Sequence, residues 1–350
     1  MKIVIDAMGG DYAPAKIVEG AVLFAETDNT PLILVGQKEK IELELKKYPQ
    51  QTSISMHHAS EIIEMEESPS KASRNKKDSS LVVATQLLHR KEADALVSAG
   101  NSGAVMTCAL RYLGRLPGIY RPTIATAIPT LNGHCIVADV GANADCKPEY
   151  LLQFAIMAKI AAQNILNISN PRVGLLSIGE EKEKGNHLTK HAAPFLEACK
   201  EINFIGNVEG RDIPKGKADV IVCDGFVGNV VLKTMEGTAD AITKMIRQEI
   251  MASSLAKFGY LFIKPALKKF KIKMDYTEYG GAPLLGINGT CIISHGKSTG
   301  KAIKNAIKVA KRFASGKVNE EITAEIMRLP SHLTPYSEIL SREKSIPLIQ

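Results

Sequence analysis

The chain has 350 residues, 45% of them apolar and 23% charged, the balance of a soluble globular enzyme with one large α/β domain or two smaller ones. Trp is absent and aromatics make up only 5%, which argues against stacking on bases or sugars, and a net charge of +7 is too modest to imply nucleic acid by itself. Six widely spaced cysteines without a C-x-x-C pair point to reduced core thiols in a cytosolic compartment, and Met1-Lys-Ile-Val-Ile-Asp6 does not open a signal peptide.

Strands alternate with helices from the start. A strand over 2–7 enters Met8-Gly9-Gly10-Asp11, and Pro14 suits the first turn of a helix over 15–26. A strand at 31–35, an amphipathic helix at 38–47 and a strand at 53–57 repeat the pattern, which predicts a mostly parallel sheet with helices on its faces. The acidic run 61–67 and the basic run 71–77 read as solvated surface, with an acidic partner for the basic half as the alternative. A helix is expected over 81–91.

The stretch 95–110 stands out. A short buried strand, 95–97, gives way to Ser98-Ala99-Gly100-Asn101-Ser102-Gly103 and then to a helix with an apolar face at Val105, Ala109, Leu110 and Leu113. Small residues at a helix start leave N–H groups open to an anion. The alternative is an ordinary tight turn with Asn101 or Ser102 as cap.

Further strands are expected at 122–129, 135–140, 173–177, 204–205 and 218–223, and helices at 148–163, 187–199 and 230–251. Each strand end carries Gly, Asn, Asp or Ser. Ligands of open parallel sheets bind outside the strand carboxyl ends, so the loops 6–11, 98–103, 139–143, 178–186 and 224–229 are expected along one edge. Asp6, Asp11, Asp139 and Asp224 have helix capping as their plain role.

Residues 251–274 hold six lysines and no acid, interleaved with Leu and Phe and divided by Pro265. This predicts a basic–apolar helical hairpin or a kinked pair suited to an anionic membrane surface, with core packing of half the apolar residues as the plain alternative. A turn-rich linker at 280–286, a strand at 290–294, a helix at 299–314 and a short helix with a tail at 328–350 complete the chain, read as a single α/β domain over 1–350. Gly296-Lys297-Ser298 lacks the upstream Gly of a P-loop, Gly296–Gly300 matches G-x-S-x-G without a downstream Asp for a triad, and Met8-Gly9-Gly10 lacks dinucleotide spacing. No cysteine–histidine cluster has zinc spacing.

Six motifs in order, Ile5–Pro14, Ser98–Ala104, Ala138–Asn143, Gly174–Glu180, Asp224–Asn229 and Tyr279–Gly286, resemble the phosphate acyltransferase family of bacterial phospholipid synthesis. The resemblance runs from Lys2 to about Ala314. It implies an α/β fold similar to isocitrate/isopropylmalate dehydrogenases and to phosphate acetyltransferase. It also implies reversible transfer of a long-chain acyl group from acyl carrier protein to inorganic phosphate, with a membrane glycerol-3-phosphate acyltransferase consuming the acyl phosphate.

No metal, organic cofactor or nucleic acid is implied. A homodimer held peripherally on the inner face of the membrane is. On this basis Gly9, Gly10, Gly100, Asn101, Ser102 and Gly103 are expected to seat phosphate, with Asp6, Ser98, Asn143 and Asp224 as further substrate contacts. Lys184 would supply positive charge, Asn229 an oxyanion donor, and His187 a proton for the leaving thiolate, with a capping or surface position as the plain role of that histidine. Phe258, Leu261, Phe262, Lys264 and Lys268 would touch lipid. A nicotinamide-dependent dehydrogenase and a non-catalytic membrane scaffold are the competing readings.

Overall fold

The computed structural model describes residues 1–49, 52–274, 280–330 and 333. In chain order the first half comprises β1 (Ile3–Asp6), α1 (Ala15–Ala25), β2 (Leu32–Gly36), α2 (Lys38–Leu45), β3 (Ile54–His58), α3 (Pro69–Asn75), α4 (Ser80–His89), β4 (Ala95–Ser98) and α5 (Ser102–Cys108). The last runs into a π-helical turn, Ala109–Leu113. Then come β5 (Thr123–Thr130), β6 (Gly133–Ala138), α6 (Pro148–Leu166), β7 (Arg172–Leu176), α7 (His187–Ala198), β8 (Asn203–Val208), β9 (Val220–Val222), α8 (Gly225–Ala252) and α9 (Ser254–Met274). The described chain ends with β10 (Ala282–Leu285), β11 (Cys291–Ile293), α10 (Gly300–Ser315) and α11 (Val318–Arg328).

Among the described residues, eleven strands join one sheet in the order β3-β2-β1-β4-β11-β10-β5-β6-β9-β7-β8. The outer groups β3-β2-β1-β4-β11 and β6-β9-β7-β8 are internally parallel, and antiparallel pairings through β10 and β5 join them. β1 and β4 are buried at every residue. A parallel strand covered on both faces requires that, and it explains their unbroken Ile, Val, Leu and Ala runs. Ile3, Ile5 and Val97 pack with Phe24 of α1 and Ile303 and Ile307 of α10 on one face. Val4 and Leu96 pack with Leu87 of α4 and Val105 of α5 on the other. Under the second half, α6 buries Leu151–Ala162 almost completely against Ile136, Val220 and Ile322 of α11.

Three expectations change. The supposed linker at 280–286 contains β10, an antiparallel strand at the centre of the sheet; its flanking glycines and Pro283 conceal a strand of only four residues. The basic–apolar segment does not fold back at Pro265. α9 runs through that proline, and the break falls at Ser253, between α8 and α9. A proline forfeits one helical bond and strains one turn, and the 21-residue helix continues on both sides of it. Finally, α8 begins at Gly225 rather than at 230, because Asp224 caps it by accepting the Val227 N–H at 2.8 Å. The expected helix and tail at 328–350 lie outside the described residues except for 328–330 and 333.

Candidate active site

β5 pairs with β10 only through Ile124–Leu284 and Thr123–Leu285 before continuing with β6 toward Thr130. Where β5 and β10 part, a cavity of about 390 Å³ opens. Gly100 and Ser102 line it from the loop after β4, Asp11 from the loop after β1, and His295 and Gly296 from the loop after β11. The other half contributes Ile124 and Thr126 of β5, Val140 and Gly141 after β6, and Asn229, Lys233 and Glu236 along α8. Four of the five strand-end loops therefore meet here. The fifth, 178–186, contributes no lining residue: β7 stands two places out from β6, beyond β9.

Each wall rests on a buried aspartate. Asp6 is 2% exposed. Its Oδ2 accepts the Ser98 hydroxyl at 2.7 Å, and Ser98 Oγ accepts the Gly100 N–H at 3.1 Å. A Cβ on Gly9 would stand 2.4 Å from that same Oδ2, so only glycine lets the β1 loop cross the carboxylate. Asp139 is fully buried. Oδ1 accepts the N–H groups of Ile124 and Ala142 at 3.0 and 3.1 Å, and Oδ2 accepts Asn143 N–H and Nδ2–H at 2.7 and 2.9 Å. The Asn143 carbonyl in turn accepts the Gly225 N–H at the start of α8. A Cβ on Gly228 would lie 1.9 Å from the Asp139 carbonyl oxygen. That close approach brings α8, and with it Asn229, against the loop after β6. Burial pushes both carboxyls above their ordinary value, against the pull of their hydrogen-bond donors.

Of the expected substrate contacts, Asp6, Ser98, Asn143 and Asp224 make hydrogen bonds within the protein and are not among the residues lining the cavity. Asn101 is likewise engaged: Oδ1 caps α5 through the Ala104 N–H, and Nδ2 donates to the carbonyls of Met65 and Glu67. Gly9, Gly10 and Gly103 shape the loops without lining the cavity, whereas Gly100, Ser102 and Asn229 do line it. Lys184 and His187 are exposed on the loop after β7 and at the start of α7, away from the cavity lining. His187 stacks on His191, ring centroids 4.0 Å apart.

The cavity's own charged groups are Asp11, expected only as a helix cap, and Lys233 and Glu236, which the sequence does not single out. Lys233 Nζ pairs with Glu236 at 2.8 Å. Both lie one and two turns beyond Asn229 on α8, so the spacing 229, 233, 236 was the available signal. His295 Nδ1 accepts the Lys297 N–H at 3.1 Å, which leaves the proton of the neutral ring on Nε2. Burial, and then the Lys233 charge, hold its pKa below the ordinary histidine value. The wall thus offers a cation, an amide and an imidazole N–H, with the Glu236 and Asp11 carboxylates among them, opposite a loop of small residues, and its donors suit oxyanions.

Exposed Phe258 and Phe262 of α9 meet edge-on, ring centroids 5.6 Å apart, and Lys264 is exposed further along the same helix. The side chains of Leu261 and Lys268 lie outside the described residues. Among the described residues, no helix is long and apolar enough to cross a membrane. Cys108, Cys135 and Cys199 are unpaired, and burial pushes each thiol to about 12.

Residues 1–321 match the family described as "Fatty acid synthesis protein". The chain is 55% identical over 329 residues to a phosphate acyltransferase of Desulfitobacterium hafniense, covering 94% of this chain and 98% of that one. It is 52% identical to a phosphate acyltransferase of Geobacter sulfurreducens, covering 93% and 94%. Its fold is similar to that of a phosphotransacetylase from Streptococcus pyogenes, with a TM-score of 0.59 at 16% identity over 90% of this chain and 94% of that one. The EutD phosphotransacetylase of Staphylococcus aureus gives 0.57 with the same identity and coverage. The chain belongs to the phosphate acyltransferase family, and it is an acyltransferase.

Proposed function

We propose that the enzyme transfers a long-chain acyl group from acyl carrier protein to inorganic phosphate. The observation that carries this reading is the juxtaposition, across one cavity, of Lys233, Asn229 and His295 with the Gly100–Ser102 loop. Phosphate is already an anionic nucleophile near neutral pH, so the protein's task is to hold it against the thioester and to stabilise the tetrahedral oxyanion. A phosphate oxygen bonds to the thioester carbon. The carbon–sulfur bond then breaks, and the thiolate takes a proton from water, giving acyl phosphate and free carrier thiol.

In this scheme Lys233 supplies the positive charge first expected of Lys184. Ser102 and the small loop seat phosphate, and Asn229 Nδ2 and His295 Nε2 face the oxyanion. The test is phosphate-dependent loss of palmitoyl-acyl carrier protein, with the acyl phosphate trapped by hydroxylamine. Trapped product that requires phosphate supports the reading, and its absence with folded enzyme overturns it.

The same reading takes in two surface features. Phe258, Phe262 and Lys264 on α9 suit an anionic lipid surface at which an insoluble acyl phosphate would be delivered. The exposed Val230, Ile242, Met245 and Ile246 of α8 suit a second copy of the chain. Light scattering on the purified protein tests the dimer.

A further inference from the structure

From residue 279 to 319 the chain carries seven Lys or Arg and no Asp or Glu. The fold turns this composition into a surface. α10 buries Ala302, Ile303, Ala306, Ile307, Ala310 and Phe313, so Lys301, Lys304 and Lys308, spaced three and four apart, lie together on its outer side over about 10 Å at 1.5 Å per residue. Lys297 precedes them in the turn whose N–H is accepted by His295, on the cavity wall. The stripe therefore begins at the rim of the cavity and leads away from it.

The acids packed against α10 are already engaged. Asp28 pairs with Lys311 at 2.6 Å, and Glu19 of α1 pairs with Lys16 at 2.6 Å. Among the described residues, Lys297, Lys304 and Lys308 form no ion pair. The basic run of α3 offers no comparable field: Lys76 is bound to Glu67 at 2.7 Å, and Glu64 and Glu66 are exposed beside it.

We infer that the α10 stripe docks the acidic carrier protein that brings the acyl group, orienting it so that its thioester enters at His295. This rests on the proposed reaction. Charge complementarity of this kind steers encounter and fixes orientation. A lipid surface is the poorer fit, because from Lys297 to Ser315 no large apolar side chain is exposed, whereas α8 and α9 expose several.

The test is the triple variant Lys297→Glu, Lys304→Glu, Lys308→Glu. KM for palmitoyl-acyl carrier protein is expected to rise about tenfold or more with little change in kcat, and added salt is expected to weaken carrier binding by the wild type but not by the variant. The double variant Lys40→Glu, Lys46→Glu, on α2 and just after it, is expected to leave carrier binding unchanged. Fluorescence anisotropy of labelled palmitoyl-acyl carrier protein reads docking without turnover, so a failure of the proposed reaction stays distinct from a failure of the docking surface. Unchanged affinity in the triple variant overturns the inference. So does loss of binding to anionic vesicles with carrier affinity intact.

Discussion

Asp139 holds Asn143 twice through one oxygen, the backbone N–H at 2.7 Å and the side-chain amide at 2.9 Å. With Ile124 and Ala142 on the other oxygen, four N–H groups converge on one buried carboxylate. Replacing Asp139 by Asn aims an amide N–H at donors or leaves one of them unpaired. The expected cost is about 1–3 kcal/mol, read as a lower urea midpoint with an unchanged slope. Turnover should fall as well, because α8 carries Asn229 and is moored to this loop through Gly225. The Asn229→Ala and Asp139→Asn effects should then combine less than multiplicatively. Full multiplicativity would mean that Asp139 supports the fold but does not hold Asn229.

Lys233 and Lys184 give a clean contrast. On the cavity wall, Lys233→Ala is expected to raise KM for phosphate and lower kcat/KM by about a hundredfold or more, and Asn229→Ala to lower kcat by a similar factor. Lys184→Ala, exposed and off the cavity lining, is expected to leave phosphate saturation nearly unchanged. Steady-state kinetics across phosphate concentrations checks all three. A Lys184→Ala defect as large as that of Lys233→Ala would return the positive charge to the loop after β7.

His295 supplies a pH signature. Its native pKa is depressed by burial first and by Lys233 second, while Glu236 opposes the shift. Between that value and the ordinary 6.5, the unfolded chain binds more protons than the folded one. Stability from this group is therefore full above 6.5 and is lost as pH falls through 6.5 toward the native value. Proton NMR of the imidazoles should show the His295 midpoint below 6.5, alongside that of His134, which burial alone lowers. The His295 midpoint should move up in Lys233→Ala and down in Glu236→Gln. A resonance insensitive to both would detach His295 from the α8 charges.

Much of this was legible in the chain. Unbroken apolar runs ending in Gly, Asn, Asp or Ser mark parallel strands and their loops, and four of those loops do meet at one cavity. What stayed hidden was direction and commitment. Asn101, Asn143 and Asp224 read as substrate contacts, and nothing in sequence shows that Asn101 and Asn143 donate to the Met65 and Pro122 carbonyls or that Asp224 accepts the Val227 N–H. Lys233 and His295 read as ordinary residues because their meeting depends on β10, a four-residue strand masked by glycines, which pairs with both β11 and β5 and so joins the two halves of the sheet. The family resemblance supplied the reaction, and the positions of its groups had to come from three-dimensional pairing.

The exposed rings of α9 lead to the last test. Phe258 is 62% and Phe262 73% exposed, and the two rings meet each other and belong to no core cluster of the described fold. Inserted at a lipid interface, each would bury apolar area worth roughly 25 cal/mol per Å², and the lysines would add attraction of about 1 kcal/mol each to anionic headgroups. Phe258→Glu with Phe262→Glu should abolish flotation with phosphatidylglycerol vesicles. Turnover of palmitoyl-acyl carrier protein in detergent-free solution should stay near wild type, since neither ring lines the cavity. Wild-type flotation on neutral vesicles should be weak, because the lysines then lose their partner. Retained flotation of the double variant would assign these rings to something other than lipid, and the α8–α9 apolar surface would then fall to contact between copies, read as a shift in mass by light scattering.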